Sequence, residues 1–450
     1  MIRRNLSLVL SVLFIMSFFS ACGGSEKKAS NLIDSQGDYF AGYDGKIKCE
    51  NPLMASFAHY SLSEAAAILM DINKCSLDAA QNALAEGGYT VETTLNKGIT
   101  EKISAASENF PAVLEGKPIA AAVSDLDGAL LALYSNSEET DYANKPTYAG
   151  SSIKPLSVYA QIIENGQANW SSVQLDTPVK KVVYNTELAD WPQNATGIYS
   201  EKETTVAEAL KVSLNTVAVK WLQILGVTES MDFLENKLGF NLSKERELAE
   251  NYGEEEVLAN IALGYLRGGV TVAEMAGYYQ IFAKEGKYTP LYSVKSITDG
   301  SGQIIYEAEP QEKQIIAPET AFIMNKLLQK VSEPGGTGEK AADCGVTIAG
   351  KTGTTTGLDN WFVGVTPEFS CAVWHGDEEN NYNPKNFAPE VFSEIIKNIT
   401  TDPEKEFPGC DNVIQRVYCA ESGKLLSDGC SQMEVGWFAP GNIPEKCTAH

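Results

Sequence analysis

Gly150-Ser151-Ser152-Ile153-Lys154-Pro155-Leu156 is the stretch from which the rest of this chain can be read. A serine stands three residues before a lysine, in what reads as the first turn of a helix. Ile153, Leu156, Ala160 and Ile163 recur at helical spacing over 152–165, and Gly166 ends the run. Pro155 is tolerated there because a first-turn residue has no intrahelical use for its N–H. Positions i and i+3 share a helix face, so Ser151 Oγ and Lys154 Nζ are expected to meet. A serine hydroxyl is a weak nucleophile until a base takes its proton. A lysine can be that base if burial and nearby positive charge lower its pKa. Ser-x-x-Lys also arises by chance on solvated helix faces, so the pattern needs partners elsewhere in the chain.

Working outward, residues 119–124 and 129–135 read as two apolar strands joined by Asp125-Leu126-Asp127-Gly128, a hairpin. Thr205-Val-Ala-Glu208 and Thr271-Val-Ala-Glu274 are capping boxes that open helices, with helix-rich sequence between them. A second hairpin over 292–307 turns at Asp299-Gly300-Ser301-Gly302. A helix over 318–331, a glycine loop over 334–338, strands over 346–356, 361–365 and 370–375, and a helix over 389–399 complete the pattern. Hairpins on either side of a helical middle predict an α+β fold: an antiparallel sheet covered by helices, with a helical subdomain.

The front of the chain carries an address. Arg3 and Arg4 precede an apolar run over 6–19 and then Ser20-Ala21-Cys22-Gly23-Gly24, an export pattern. The apolar run is shorter than the ~20 residues of a membrane span. Cys22 after small residues resembles a lipoprotein cleavage site, which predicts lipidation of Cys22; an uncleaved anchor and plain secretion are the other readings. All three place the enzyme at the extracytoplasmic face of the cell membrane or beyond it. Residues 25–45 read as a polar tether, Ser61-Leu-Ser-Glu64 as a capping box opening a helix to 73, and 76–86 as a second helix. The expected division is 1–22 signal, 23–87 tether and small helical region, 88–400 catalytic domain, and 401–450 a cysteine-rich appendage.

Composition narrows the chemistry. Lys and Arg number 35 against 59 Asp and Glu, a net charge of −24, which argues against nucleic acid as a partner. With three histidines, no G-x-S-x-G and no H-E-x-x-H, a Ser-His-Asp triad or a zinc protease has little support. His375 reads as structural. Gly345 to Thr352 fits the phosphate-loop pattern, but its middle is strand-like and Gly353-Thr-Thr-Thr-Gly357 cannot open a helix, so an ATPase is rejected. Two polar clusters remain. Ser213 and Asn215 can project the same way from the connection at 211–216, although a capped helix junction would look alike. Lys351, Thr352, Gly353 and Thr354 form an electropositive, hydrogen-bonding strand edge suited to a carboxylate.

The order Ser-x-x-Lys, Ser-x-Asn, Lys-Thr-Gly is the signature of penicillin-binding proteins and β-lactamases. From about residue 88 to 399 the chain resembles the transpeptidase domain of class A penicillin-binding proteins. The resemblance is carried by Tyr89-Thr-Val-Glu-Thr-Thr-Leu95, Ala149-Gly-Ser-Ser-Ile-Lys-Pro155, Glu208-Ala-Leu-Lys-Val-Ser-Leu-Asn215, Gly350-Lys-Thr-Gly-Thr354, Asp359-Asn-Trp-Phe-Val-Gly364 and Ala372-Val-Trp374. It implies that Ser151 attacks the bond between the terminal D-alanines of a peptidoglycan stem peptide. Lys154 would be the base, and Ser213 would relay a proton to the leaving D-alanine. Asn215 would hold the donor amide, while Lys351, Thr352, Gly353 and Thr354 would bind the terminal carboxylate. Backbone N–H groups of Ser151 and Thr354 would form the oxyanion hole. β-Lactams would acylate Ser151, and no cofactor or catalytic metal is expected.

Class A members carry a glycosyltransferase domain in front. About 65 residues separate Cys22 from Gly88, too few for such a unit, so no glycan polymerisation is expected and a separate glycan polymerase becomes a partner. A D,D-carboxypeptidase and a non-cross-linking β-lactam or muropeptide sensor are the alternatives. In the tail, Cys410, Cys419, Cys430 and Cys447 are expected as two disulfides, with a zinc site of Cys419, Cys430, Cys447 and His450 as the rival. Cys344 and Cys371 are expected not to pair with each other.

Overall fold

The computed structural model describes residues 27–184, 186–355, 358–376 and 385–449. Cys22 and His450 lie outside the described residues. Five strands form the central sheet: β1 (Ile119–Asp125), β2 (Leu130–Ser135), β3 (Ala349–Thr354), β4 (Asp359–Val365) and β5 (Phe369–Gly376), in the order β3-β4-β5-β1-β2, every pair antiparallel. Lys351 stands opposite Val363, Val363 opposite Ala372, and Ala372 opposite Ala122. Strands this apolar are buried on both faces, and alternation sorts their side chains. Ala120, Ala122, Val363 and Ala372 join the larger core. Ala121, Val123, Phe362 and Val373 join a second core beneath helix Ala388–Ile399. Phe392 of that helix meets Phe362 edge-on at 4.7 Å, and each such buried ring contributes roughly 1.5–3 kcal/mol. Helix Val272–Tyr279 covers the opposite face, against β1 and β5. The α+β expectation holds.

The stretch read as a tether is not one. Ser30–Ile33, Tyr39–Tyr43 and Ile47–Cys49 are strands of a second, six-stranded sheet, where Ser30–Ile33 runs parallel to Thr90–Thr93. Leu32, Phe40 and Ala41 are fully buried. The strands are short and broken by glycine, so their periodicity is lost among turn residues. The helix that follows begins at Ala55, not after Ser61, and runs to Asn73. Ser61 is buried within it, and Glu64, the supposed return member of the capping box, bonds instead to Ser293 N and Oγ. Phe57 and Ala58 carry the apolar face upstream of Ser61, which explains the earlier start. The second helix forms as expected, over Leu77–Glu86, and Ser76 caps it from just outside.

The eight described cysteines are free, so the two expected tail disulfides are absent. Cys419, Cys430 and Cys447 gather in one place, and Cys410 is not part of the group. Cys344 and Cys371 are separately buried. Among the described residues, no helix is long and apolar enough to cross a membrane.

Candidate active site

Three glycines bring the serine turn against the strand of the Lys-Thr-Gly segment. Gly150 opens the 3₁₀ turn Gly150–Ile153 at φ +54°, and a Cβ there would lie 2.9 Å from Thr354 N. A Cβ on Gly353 would fall 2.4 Å from Ala149 O, and one on Gly264 would fall 2.1 Å from Gly150 O. Only residues without side chains allow backbones this close. Ser151 therefore sits beside the end of β3, half-buried, while Ser152 is buried and bonds back to Ala149 O at 2.7 Å. The helix after Lys154 is wider than expected: Pro155–Tyr159 is a π-helical turn before the α-helix Ala160–Glu164.

Lys154 is wholly buried. Its Nζ donates to Asn215 Oδ1 at 2.6 Å, Ser213 O at 3.0 Å and Leu214 O at 3.3 Å. Among the described residues no hydrogen bond joins it to Ser151 Oγ, because the ammonium end is turned to the 213–215 junction. Burial and then the Lys351 charge hold its pKa well below that of a free lysine. A neutral amine keeps two N–H donors and gains a lone pair. It can hold two of these oxygens and release the longest contact when it acts as a base.

The junction itself is strained. Ser213 adopts φ +63°, a left-handed conformation worth about 1–3 kcal/mol for a non-glycine residue. This turns its carbonyl onto Lys154. Asn215 opens helix Asn215–Leu225; its Nδ2 bonds Gln193 O at 2.7 Å and its backbone N bonds Asn194 Oδ1 at 2.9 Å. Asn194 in turn bonds Asp176 Oδ1 at 2.8 Å, and Thr216 Oγ1 reaches the same carboxylate at 2.6 Å. Asp176 and Asn194 occupy ordinary loop positions, and neither stands in a periodic pattern or a motif.

On the facing strand, Lys351 is also wholly buried, and burial pulls its pKa down to about 7. Its Nζ bonds Thr352 O at 3.1 Å and Thr352 Oγ1 at 3.2 Å. Thr352 Oγ1 pairs with Thr337 Oγ1 at 2.6 Å. Thr337 belongs to the glycine loop noticed in the sequence but given no role there. Thr354 is exposed at the strand end, where Asn386 Nδ2 bonds Gly353 O at 3.1 Å and Trp361 O at 2.9 Å. Beside the serine turn lies a cavity of about 570 Å³ lined by Tyr148, Arg267, Leu358, Asp359 and Trp374 among others.

Ser151 thus lies between the buried Lys154 and the strand that carries Lys351, on an α+β scaffold. The family model for the penicillin binding protein transpeptidase domain matches residues 118–397, and the chain belongs to that family. Penicillin-binding protein 1A of Clostridium novyi is 30% identical over 415 residues, covering 84% of this chain and 46% of the relative. Its counterpart in Clostridium botulinum is 28% identical over 346 residues, 72% of this chain and 40% of the relative. The chain thus spans about half the length of the curated relatives it matches. Among solved structures, penicillin-binding protein 1A of Haemophilus influenzae superposes with a TM-score of 0.68 at 15% identity, over 93% of this chain and 99% of that one. The D,D-transpeptidase domain of a peptidoglycan glycosyltransferase from Eggerthella lenta gives 0.58 at 22% identity, over 84% and 98%. These likenesses carry the fold.

Proposed function

We propose that the chain is a serine D,D-transpeptidase that cross-links peptidoglycan stem peptides at the extracytoplasmic face, through an acyl-enzyme on Ser151. The observation that carries this reading is the fully buried Lys154, bonded to Asn215 Oδ1 and depressed in pKa by burial and Lys351. As a neutral amine it takes the Ser151 proton, and the hydroxyl oxygen attacks the carbonyl between the two terminal D-alanines. Ser213 passes a proton to the departing D-alanine. Asn215 holds the donor amide, and Lys351, Thr352 and Thr354 bind its terminal carboxylate, with Gly353 allowing close approach. Backbone N–H groups of Ser151 and Thr354 receive the oxyanion, a contribution of roughly 3–4 kcal/mol per donor. An amine of a neighbouring stem then resolves the ester and restores the hydroxyl. A lipid anchor at Cys22 and a separate glycan polymerase belong to the same reading and rest on sequence pattern.

Intact-mass analysis after penicillin treatment tests it. Wild type is expected to gain one drug mass and hold it for hours, while Ser151→Ala gains none. An adduct on another residue would sink the proposal. Rapid release would mark a β-lactamase. Turnover of stem peptide with water but not with amines would mark a carboxypeptidase, and a stable adduct without any turnover a sensor.

A further inference from the structure

The tail's hairpin, Ile414–Cys419 and Met433–Phe438, leaves eight of its twelve residues exposed or half-buried. Of its residues, Tyr418, Cys419 and Phe438 are fully buried, and Cys447 beyond it is nearly so. Tyr418 and Phe438 pack into the main core, so the hairpin has little core of its own and a covalent or metal staple would stiffen what is left. Three cysteines from three separate segments supply the material: Cys419 ends the first strand, Cys430 lies in the turn before the second, and Cys447 follows on the last stretch, bridged to Leu425. Their Sγ atoms all lie within 4.8 Å of one another.

We propose that Cys419, Cys430 and Cys447 bind a structural zinc ion. Zinc–thiolate bonds of 2.3 Å in a tetrahedron set sulfur–sulfur edges of about 3.8 Å. Separations of no more than 4.8 Å are compatible with such edges. A disulfide fits less well. It would join two sulfurs at about 2.05 Å and leave the third thiol against the bond, placed to attack it, so no single pairing is favoured. The three thiols lose three protons when the ion binds, leaving a complex of net charge −1. Ser422 Oγ donates to Cys447 Sγ at 3.2 Å and so holds that sulfur in place. The fourth position falls to water.

The site would fasten the tail to the body next to the catalytic helix. Ser171 Oγ bonds Gly423 O at 2.5 Å, Asn442 Nδ2 bonds Ala168 O at 2.8 Å, and Trp437 meets Phe322 at 5.2 Å. Full-length exported protein, purified without chelator or reductant, tests the assignment by elemental analysis together with non-reducing intact mass. The expected result is about one zinc per chain with the three thiols unpaired. In wild type they should resist iodoacetamide until phenanthroline removes the metal. Cys430→Ser should cut bound zinc at least about tenfold, whereas Cys410→Ser should leave it unchanged. Metal-free protein with a disulfide between any two of the three would overturn the proposal. So would iron in place of zinc, or full zinc retention in both Cys430→Ser and Cys447→Ser. The wild-type protection measurement stands even if a variant does not fold.

Discussion

Lys351 lies wholly inside the protein with a pKa pulled from 10.5 to about 7 by burial, and that has a stability consequence. In the unfolded chain the amine keeps its proton up to its ordinary pKa. Folding must remove that proton between pH 7 and 10.5, or below pH 7 must bury the charge. The cost is full below about pH 7 and fades as pH rises to 10.5, on the order of 5 kcal/mol at most. Lys351→Met is therefore expected to raise the melting temperature at neutral pH while abolishing penicillin acylation, with the gain shrinking toward pH 10.5. A constant difference across that range would contradict the buried-cation account. Asn194 is the second case. It touches the Asn215 backbone and the Asp176 carboxylate, so on the proposed mechanism it positions Asn215 and through it Lys154. Asn194→Leu is expected to slow acylation roughly tenfold to a hundredfold and to shift the pH profile of acylation, which a purely structural loss would leave in place. Stopped-flow acylation across pH measures both.

Elements were legible where several signals agreed. The 119–135 hairpin combined an apolar run with a turn tetrad, and Pro318–Val331 began at the proline that marks a first turn. Thr271 shows the full reciprocal capping box read from its sequence. Ser61-Leu-Ser-Glu64 fits the same pattern and formed no cap, because tertiary packing extended the helix upstream and drew Glu64 to Ser293. Stability measurements can tell these two apart. Thr271→Ala should cost about 1 kcal/mol, the ordinary value of a lost cap. Ser61 Oγ is buried without a partner, so Ser61→Ala should stabilise by roughly 1 kcal/mol. Chemical denaturation of both variants decides it, and a destabilised Ser61→Ala would restore the capping reading. The same limit hid Asp176 and Asn194: their parts depend on three-dimensional neighbours, which no local pattern encodes. Ser151, Lys154, Asn215 and Lys351 stood out because each sits in a short motif, and the fold brings their segments together, although Lys154 turned to the 213–215 junction instead of the neighbouring hydroxyl.

At the scale of the whole molecule, the N-terminal segment read as a tether is instead a wall of the protein. Thr90–Thr93 is flanked by Ser30–Ile33 on one side and Val294–Thr298 on the other, so the first strand closes a ladder that the rest of the chain leaves open. Removing residues 27–49 would bare the edge of Thr90–Thr93 and uncover the face of helix Ala55–Asn73, where Phe57 meets Phe40 at 6.4 Å. An exposed strand edge beside an apolar face pairs with other copies. The Lys97 ammonium would also lose Asp34, whose carboxyl is held below its usual pKa by hydrogen bonds from Asp38, Gln36 and Lys97. A variant lacking 27–49 is therefore expected to aggregate, with light scattering rising at concentrations where the full chain stays monodisperse and penicillin labelling falling with it. If the segment were only a spacer, the shortened chain would remain soluble and label at the wild-type rate. That outcome would return the N-terminal strands to the periphery and confine the functional fold to the portion beginning near residue 88.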